Sequence, residues 1–146
     1  MKNACSFCRR SKKGIAVRAK SKSRYILSTM RVKIIPSPDR KKKFRAILPG
    51  DRTVDFGARG YSDYTKHKNP SRMRSYVVRH GGRFISETDP RKIHTRMLAV
   101  DASDKEQWRL GGVATAGFWS RWYLWSQPSI SEAQRFMTRR FKITFV

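Results

Sequence analysis

The chain is 146 residues long and carries 34 Lys and Arg against 10 Asp and Glu, a formal net charge of +24. That length holds at most one ordinary domain; no run of about 18 apolar residues offers a transmembrane helix, and the N-terminus lacks the apolar region of a secretory signal. Two cysteines do not make a disulfide framework, which points to an intracellular, reducing setting. Charge of this size repels itself in a compact state and asks for a polyanionic neighbour: nucleic acid, an anionic membrane surface or an acidic protein face.

The charge is uneven. Residues 1–52 hold 17 basic and 2 acidic residues, whereas the aromatic residues lie almost entirely beyond Tyr25. Residues 1–30 have too little apolar surface to offset the entropy of ordering, so they read as an extended basic arm fixed only on a partner. Its candidate partner-binding residues are Arg9, Arg10, Lys12, Lys13, Arg18, Lys20, Lys22 and Arg24. Cys5 and Cys8 form half of a zinc site, and no second pair completes it. They are weak metal candidates, with free thiols and a disulfide as the alternatives.

Residues 31–146 read as a compact body. Met30 to Ile35 alternates weakly as a strand that Pro36 and Pro38 end. Lys43–Leu48 and Thr53–Gly57 alternate with period two, and Pro49-Gly50-Asp51 between them has the chemistry of a turn. This predicts an antiparallel hairpin with Phe44 and Phe56 buried. Gly50, Gly57 and Gly60 are the structural turn residues; the last two aim Tyr61 to Tyr64 away from the strand end. Asn69-Pro70 opens a helix with Met73, Tyr76, Val77 and His80 on one face, Arg72 and Arg79 off it, and Gly81-Gly82 at its end. Asp89-Pro90 repeats the start signal for a weaker helix to about Ala99, and Ser103 to Glu106 forms a capping-box pattern before Trp108. Thr115 to Trp125 reads as an aromatic helix stopped by Pro128. Ser129 to Glu132 is a second capping box for a helix to about Arg139, and Phe141 to Val146 alternates as a strand returning to the sheet. The fold class is α+β: a small β-hairpin-based sheet packed on two to four helices, with an extended basic N-terminal arm.

No catalytic set emerges, and the reading is not an enzyme. Ser62, Asp63 and His67 lie too close together for a triad assembled from distant segments, so Asp63 or Ser62 reads as a cap. Gly57 to Gly60 lacks the Lys-Ser/Thr of a phosphate loop. The aromatic stripe around Trp119, Trp122 and Trp125 reads as core, as a base-stacking platform or as a set of interface anchors. Because residues 83–105 look too polar to cover it, at least one of these tryptophans is expected to be exposed in the monomer and buried by another chain. Arg121 between them suits stacking, or pairing with Asp55 or Asp63.

Two strings carry a resemblance. Phe56 to Lys68 (FGARGYSDYTKHK) and Gly112 to Glu132 (GVATAGFWSRWYLWSQPSISE), the second built around TAGFWSRW, together with Asn69 to His80, cover about a third of the chain. They resemble a family of small basic virion proteins of nucleocytoplasmic large DNA viruses. The resemblance implies a minor capsid protein that docks beneath or between major coat protein units and bridges them with its arm. It implies as partners the major coat protein and other capsid proteins; the net charge of +24 adds nucleic acid or an anionic internal membrane as further contacts. It implies no cofactor, no small-molecule substrate, and a place in the capsid shell after assembly in the host cytoplasm. The alternative is a sequence-nonspecific nucleic-acid-binding protein packaged in the virion.

Overall fold

The computed structural model describes residues 29–146. Cys5, Cys8 and the cationic residues from Arg9 to Arg24 lie outside the described residues, as does nearly all of the arm.

The body is α+β. Strands β1 (Met30–Pro36), β2 (Lys42–Ile47), β3 (Thr53–Ala58) and β4 (Ile143–Phe145) form one mixed sheet in the order β3-β2-β1-β4. The predicted hairpin is β2–β3: antiparallel, with Phe44 opposite Phe56 and Ala46 opposite Val54. Leu48 N–H donates to the Arg52 carbonyl at 2.7 Å to close the loop, and Gly50 and Asp51 both take positive φ, 78° and 60°. Phe56 is fully buried, but Phe44 is only half-buried, its ring lying against Phe56 and Tyr123. The C-terminal strand does return to the sheet; its neighbour is β1, in parallel.

Local chemistry sets most helix starts. Asp63 caps the single turn α1 (Tyr64–His67) by accepting from Thr65 N–H, and Asn69 caps α2 (Pro70–Arg79) by accepting from Ser71 and Arg72 N–H. Asp89 caps α3 (Pro90–Leu98) in the same way. Ser129 caps α5 (Ile130–Phe141), accepting from Glu132 N–H and donating to its carboxylate at 2.9 Å. The Ser103–Glu106 pattern behaves differently. Ser103 does accept from Glu106 N–H, but no helix follows: Glu106 turns to the Trp108 indole N–H and the His80 ring, each at 2.7 Å.

The aromatic run is not one α-helix. The single turn α4 (Ala116–Trp119) passes into a π-helix over Ser120–Leu124, closed by Trp125 N–H donating to the Ser120 carbonyl at 3.1 Å. The wider π turn lets residues 121–126 all face the interior. The expectation of an exposed tryptophan is overturned: Trp119 and Trp122 are 0% exposed and Trp125 is 9%. The covering segment is the one that looked too polar. It supplies Ile93, Met97 and Val100, with Trp108 just beyond it, all buried, and a few apolar side chains at helical spacing suffice when the rest of the segment faces water. Phe136, Phe141 and Phe145 close the remaining sides through ring contacts with Trp122 and Trp119.

Candidate functional site

Four sequence-predicted partner residues belong to the interior. Trp119, Trp122 and Trp125 donate or stack within the core: Trp119 Nε1–H donates to the Val113 carbonyl at 2.7 Å, Trp122 Nε1–H to the Trp108 carbonyl at 2.6 Å, and Trp125 stacks on Tyr76 with centroids 4.3 Å apart. Arg121 is fully buried and pairs with neither Asp55 nor Asp63. Its Nη2 donates to the Met97 and Val100 carbonyls at 2.8 and 3.3 Å, and its Nη1 to the Trp125 carbonyl at 3.2 Å. The two carboxylates are taken elsewhere: Asp55 by Arg45 and Asp63 by Lys43, at 2.8 and 2.7 Å. A guanidinium bonded to three carbonyls and flanked by two indoles has no route to a partner. Trp119, Trp122 and Arg121 therefore offer no docking surface, and Trp125 reaches the exterior only as lining of the cleft described next.

The surface feature that remains is a cleft of about 650 Å³. One wall is the end of the hairpin and the loop after it, from Lys42 and Lys43 across Gly57 and Ala58 to Asp63. A second is the outer face of α2, with Arg72, Ser75, Tyr76 and Arg79. The third is the start of the aromatic segment, Ala116, Gly117 and Ser120, with Leu124 and Trp125 at its base. Glycines bring these walls together. Gly57 has φ 77°, and a Cβ there would lie 2.8 Å from Leu124 Cδ1; a Cβ at Gly117 would lie 2.9 Å from Glu106 Oε2. Lys43 Nζ locks the loop by donating to both Asp63 and the Tyr61 carbonyl.

The cleft is electropositive. Residues 1–28 account for nine Lys and Arg and no acid, so residues 29–146 keep twenty-five cations against ten carboxylates. Lys42, Arg72 and Arg79 on the rim form no salt bridge among the described residues. Glu106 sits within the cleft, pinned by His80 and Trp108. Tyr76 is 5% exposed, its hydroxyl has no hydrogen-bond partner, and burial raises its pKa well above the ordinary phenol value. No group of three or more metal-ligating side chains occurs among the described residues, and none of their helices is long and apolar enough to cross a membrane.

Ser62, Asp63 and His67 form no relay. Asp63 is spent on capping α1 and holding Lys43. His67 Nδ1 accepts from Asn69 N–H at 3.0 Å, which leaves the proton on Nε2, buried and without a partner. Burial, then the nearby Arg72 charge, hold the His67 pKa below its ordinary 6.5. The unfolded chain therefore takes up a proton that the folded one resists. The His67 contribution to stability is complete above that ordinary value and is lost as pH falls from it toward the folded pKa. Urea midpoints measured from neutral pH to about pH 5 should fall, and His67→Gln should flatten the slope; an identical slope in the variant would assign the loss to other groups. The Arg45 hydrogen bond depresses Asp55, whose contribution goes only at lower pH, as acid passes 3.8.

Residues 32–80 match a family described only as a family of unknown function, DUF5754. The match runs from β1 to the end of α2, and so includes the hairpin and α2 walls of the cleft. The third wall and Glu106 lie beyond it. No curated protein and no solved structure matches the chain.

Sequence reasoning missed the cleft although its signals were present. Arg72 and Arg79 fell off the buried face of α2, where periodicity put them, and Gly57, Ala58, Ala116 and Gly117 are small residues within the two singled-out strings. What no spacing reveals is that strings nearly fifty residues apart share a wall.

Proposed function

We propose that the chain is a virion structural protein, a minor capsid protein that docks beneath or between major coat protein units and bridges them with its basic N-terminal segment. The observation that carries this reading is the behaviour of the two strings on which the resemblance rests. They are distant in sequence, yet Phe56 packs on Trp119 and Tyr123 with centroids 5.9 and 5.5 Å apart, Gly57 abuts Leu124, and both strings line the same cleft. The two strings on which the resemblance rests thus meet in one feature of the fold, which supports a common purpose for them. A compact body with a closed aromatic core and a cationic exterior suits a shell component, which must hold its shape while binding neighbours through surface charge. Its partners on this reading are the major coat protein and other capsid proteins, and its place is the capsid shell.

The net charge of +24 favours a second reading, a packaged protein that binds nucleic acid without sequence preference. One experiment separates them. Particles are purified, the genome is released, and the chain is followed by mass spectrometry in the shell and DNA fractions. Retention in the shell through high salt is the expected result. Departure with the DNA, together with a steep loss of DNA affinity as salt rises, would establish the second reading instead.

A further inference from the structure

A second groove, of about 510 Å³, runs between α5 and β4. Arg135, Thr138 and Arg139 line it from the helix, Thr144 and Phe145 from the strand. The helix side follows from spacing: Arg135, Thr138 and Arg139, three and four apart, share one face, while Ala133 and Met137 are buried on the other. Both arginines are exposed and form no salt bridge among the described residues. No carboxylate lines the groove. Glu132 of the same helix is turned to the Ser129 cap, and Asp101 is held by Arg140. The helix dipole accounts for cations in the last turn, where Arg139 stands, but not for Arg135 in mid-helix.

We propose that this groove binds single-stranded nucleic acid, with Arg135 and Arg139 on backbone phosphates and Phe145 against a base. The inference goes beyond the capsid reading and does not depend on it: a shell protein with this groove gains a contact to the packaged genome. Three observations select this occupant. First, the lining is built for an anion with a flat apolar neighbour. It offers two guanidiniums about 6 Å apart along the helix axis, the Thr138 and Thr144 hydroxyls, and Phe145, half-buried against Trp119 and Tyr123. A cationic groove with an aromatic side chain is the combination that follows a single strand without reading its sequence. Second, the sheet margin beside the groove is closed to a peptide. β4 is an edge strand, but Ile143 is 0% exposed, so its backbone is shut off from the ladder that an added strand needs. Third, the cations continue out of the groove. Arg31 stands opposite Thr144 on β1 and is exposed. Met30 N–H donates to the Lys142 carbonyl at 3.0 Å, so the basic N-terminal segment, nine cations and no acid, joins the body beside β4. A run of one sign suits a polymer of uniform negative charge, whereas a protein face presents mixed groups. That segment is itself excluded as the occupant, because like charges repel.

The test is a titration of the full chain with fluorescein-labelled oligothymidylate, followed by anisotropy at several salt concentrations. Arg135→Gln with Arg139→Gln should weaken binding about tenfold, the effect of losing charge-assisted hydrogen bonds. The same pair should lower the slope of log affinity against log salt by about 1.4, two phosphate contacts at ~0.7 each. Its denaturation midpoint should not move, because both side chains are exposed and Gln keeps the helix. Arg72→Gln with Arg79→Gln removes the same charge from the first cleft and should leave the slope unchanged. Oligothymidylate carrying 5-iodouracil should crosslink on irradiation to Phe145, as mapped by mass spectrometry. Equal losses from the two pairs would reduce the effect to net charge and overturn the proposal, as would adducts confined to residues 1–28. Polyglutamate bound more tightly than an oligothymidylate of equal charge, through the same two arginines, would assign the groove to an acidic protein face instead. The particle fractionation decides the capsid reading and this titration decides the groove, so either fails without the other.

Discussion

Replacing Arg121 with Ala should destabilise the body by roughly 3–5 kcal/mol, the scale seen when a buried charge network loses a member. Arg121 is fully buried, and burial pushes its pKa down to about 10, which leaves it charged at neutral pH. No carboxylate meets it. Its counter-charge is supplied by carbonyls at two helix ends, Met97 and Val100 at the end of α3 and Trp125 at the end of the π-helix, where the helix dipoles are negative. The Trp122 and Trp108 rings flank the guanidinium at 4.4 and 5.4 Å. Ala removes all of this and takes the guanidinium donor from the Val100 and Trp125 carbonyls, each buried polar group costing about 1–3 kcal/mol, while the Met97 carbonyl keeps its bond from Val100 N–H. Lys should not rescue, because a point charge cannot span acceptors that a planar fork reaches together. Met fills the space but donates nothing to these carbonyls, so its loss should be intermediate. Guanidinium denaturation of the three variants checks the series; an Arg121→Met protein as stable as its parent would show that the fork adds nothing to the core.

Phe56→Ala should cost a similar amount, roughly 3–5 kcal/mol. Phe56 is 0% exposed and meets Phe44, Trp119 and Tyr123 with ring centroids 5.8, 5.9 and 5.5 Å away. It is the point where the hairpin grips the aromatic helix, so truncation opens a cavity at the sheet–helix seam. Domains of this size are stable by only about 5–15 kcal/mol, and the variant should unfold partly at physiological temperature. Phe44→Ala is the internal control: half-buried, it should lose clearly less. Equal losses in a denaturant titration would mean that the seam does not depend on Phe56.

The parts of this fold that could be read from sequence are those decided within a few residues. The hairpin follows from alternation and from Pro49-Gly50-Asp51, and α2, α3 and α5 follow from caps that need only a side chain and the next turn. The parts that escaped are decided at a distance. The Ser103–Glu106 box has the right letters, but Glu106 is worth more to the Trp108 indole and to His80 than to a helix start. The π-helix gives no local signal, since its widened turn answers to side chains crowding from α3, α5 and β4. Arg121 looked like a surface hot spot because Arg among tryptophans commonly is one; its partners are backbone carbonyls, which carry no sequence signature. The cleft was invisible for the same reason: its walls are separate pieces of chain, and only the small residues that let them approach were legible.

One pairing in the sheet bears on how the body withstands force. The strand that follows the basic N-terminal segment, β1, is an interior strand: β2 lies on one side and β4 on the other, with Met30 N–H donating to the Lys142 carbonyl and Val146 N–H to the Val32 carbonyl, both at 3.0 Å. Tension entering through residue 29 runs along β1 and loads the bonds on both flanks in shear, so they must fail together. A strand at the margin would peel away one bond at a time. The tether point is thus among the mechanically strongest in the sheet, and its strength depends on the last residues of the chain. Removing β4 would leave the body's first strand exposed and turn a shear joint into a peeling one.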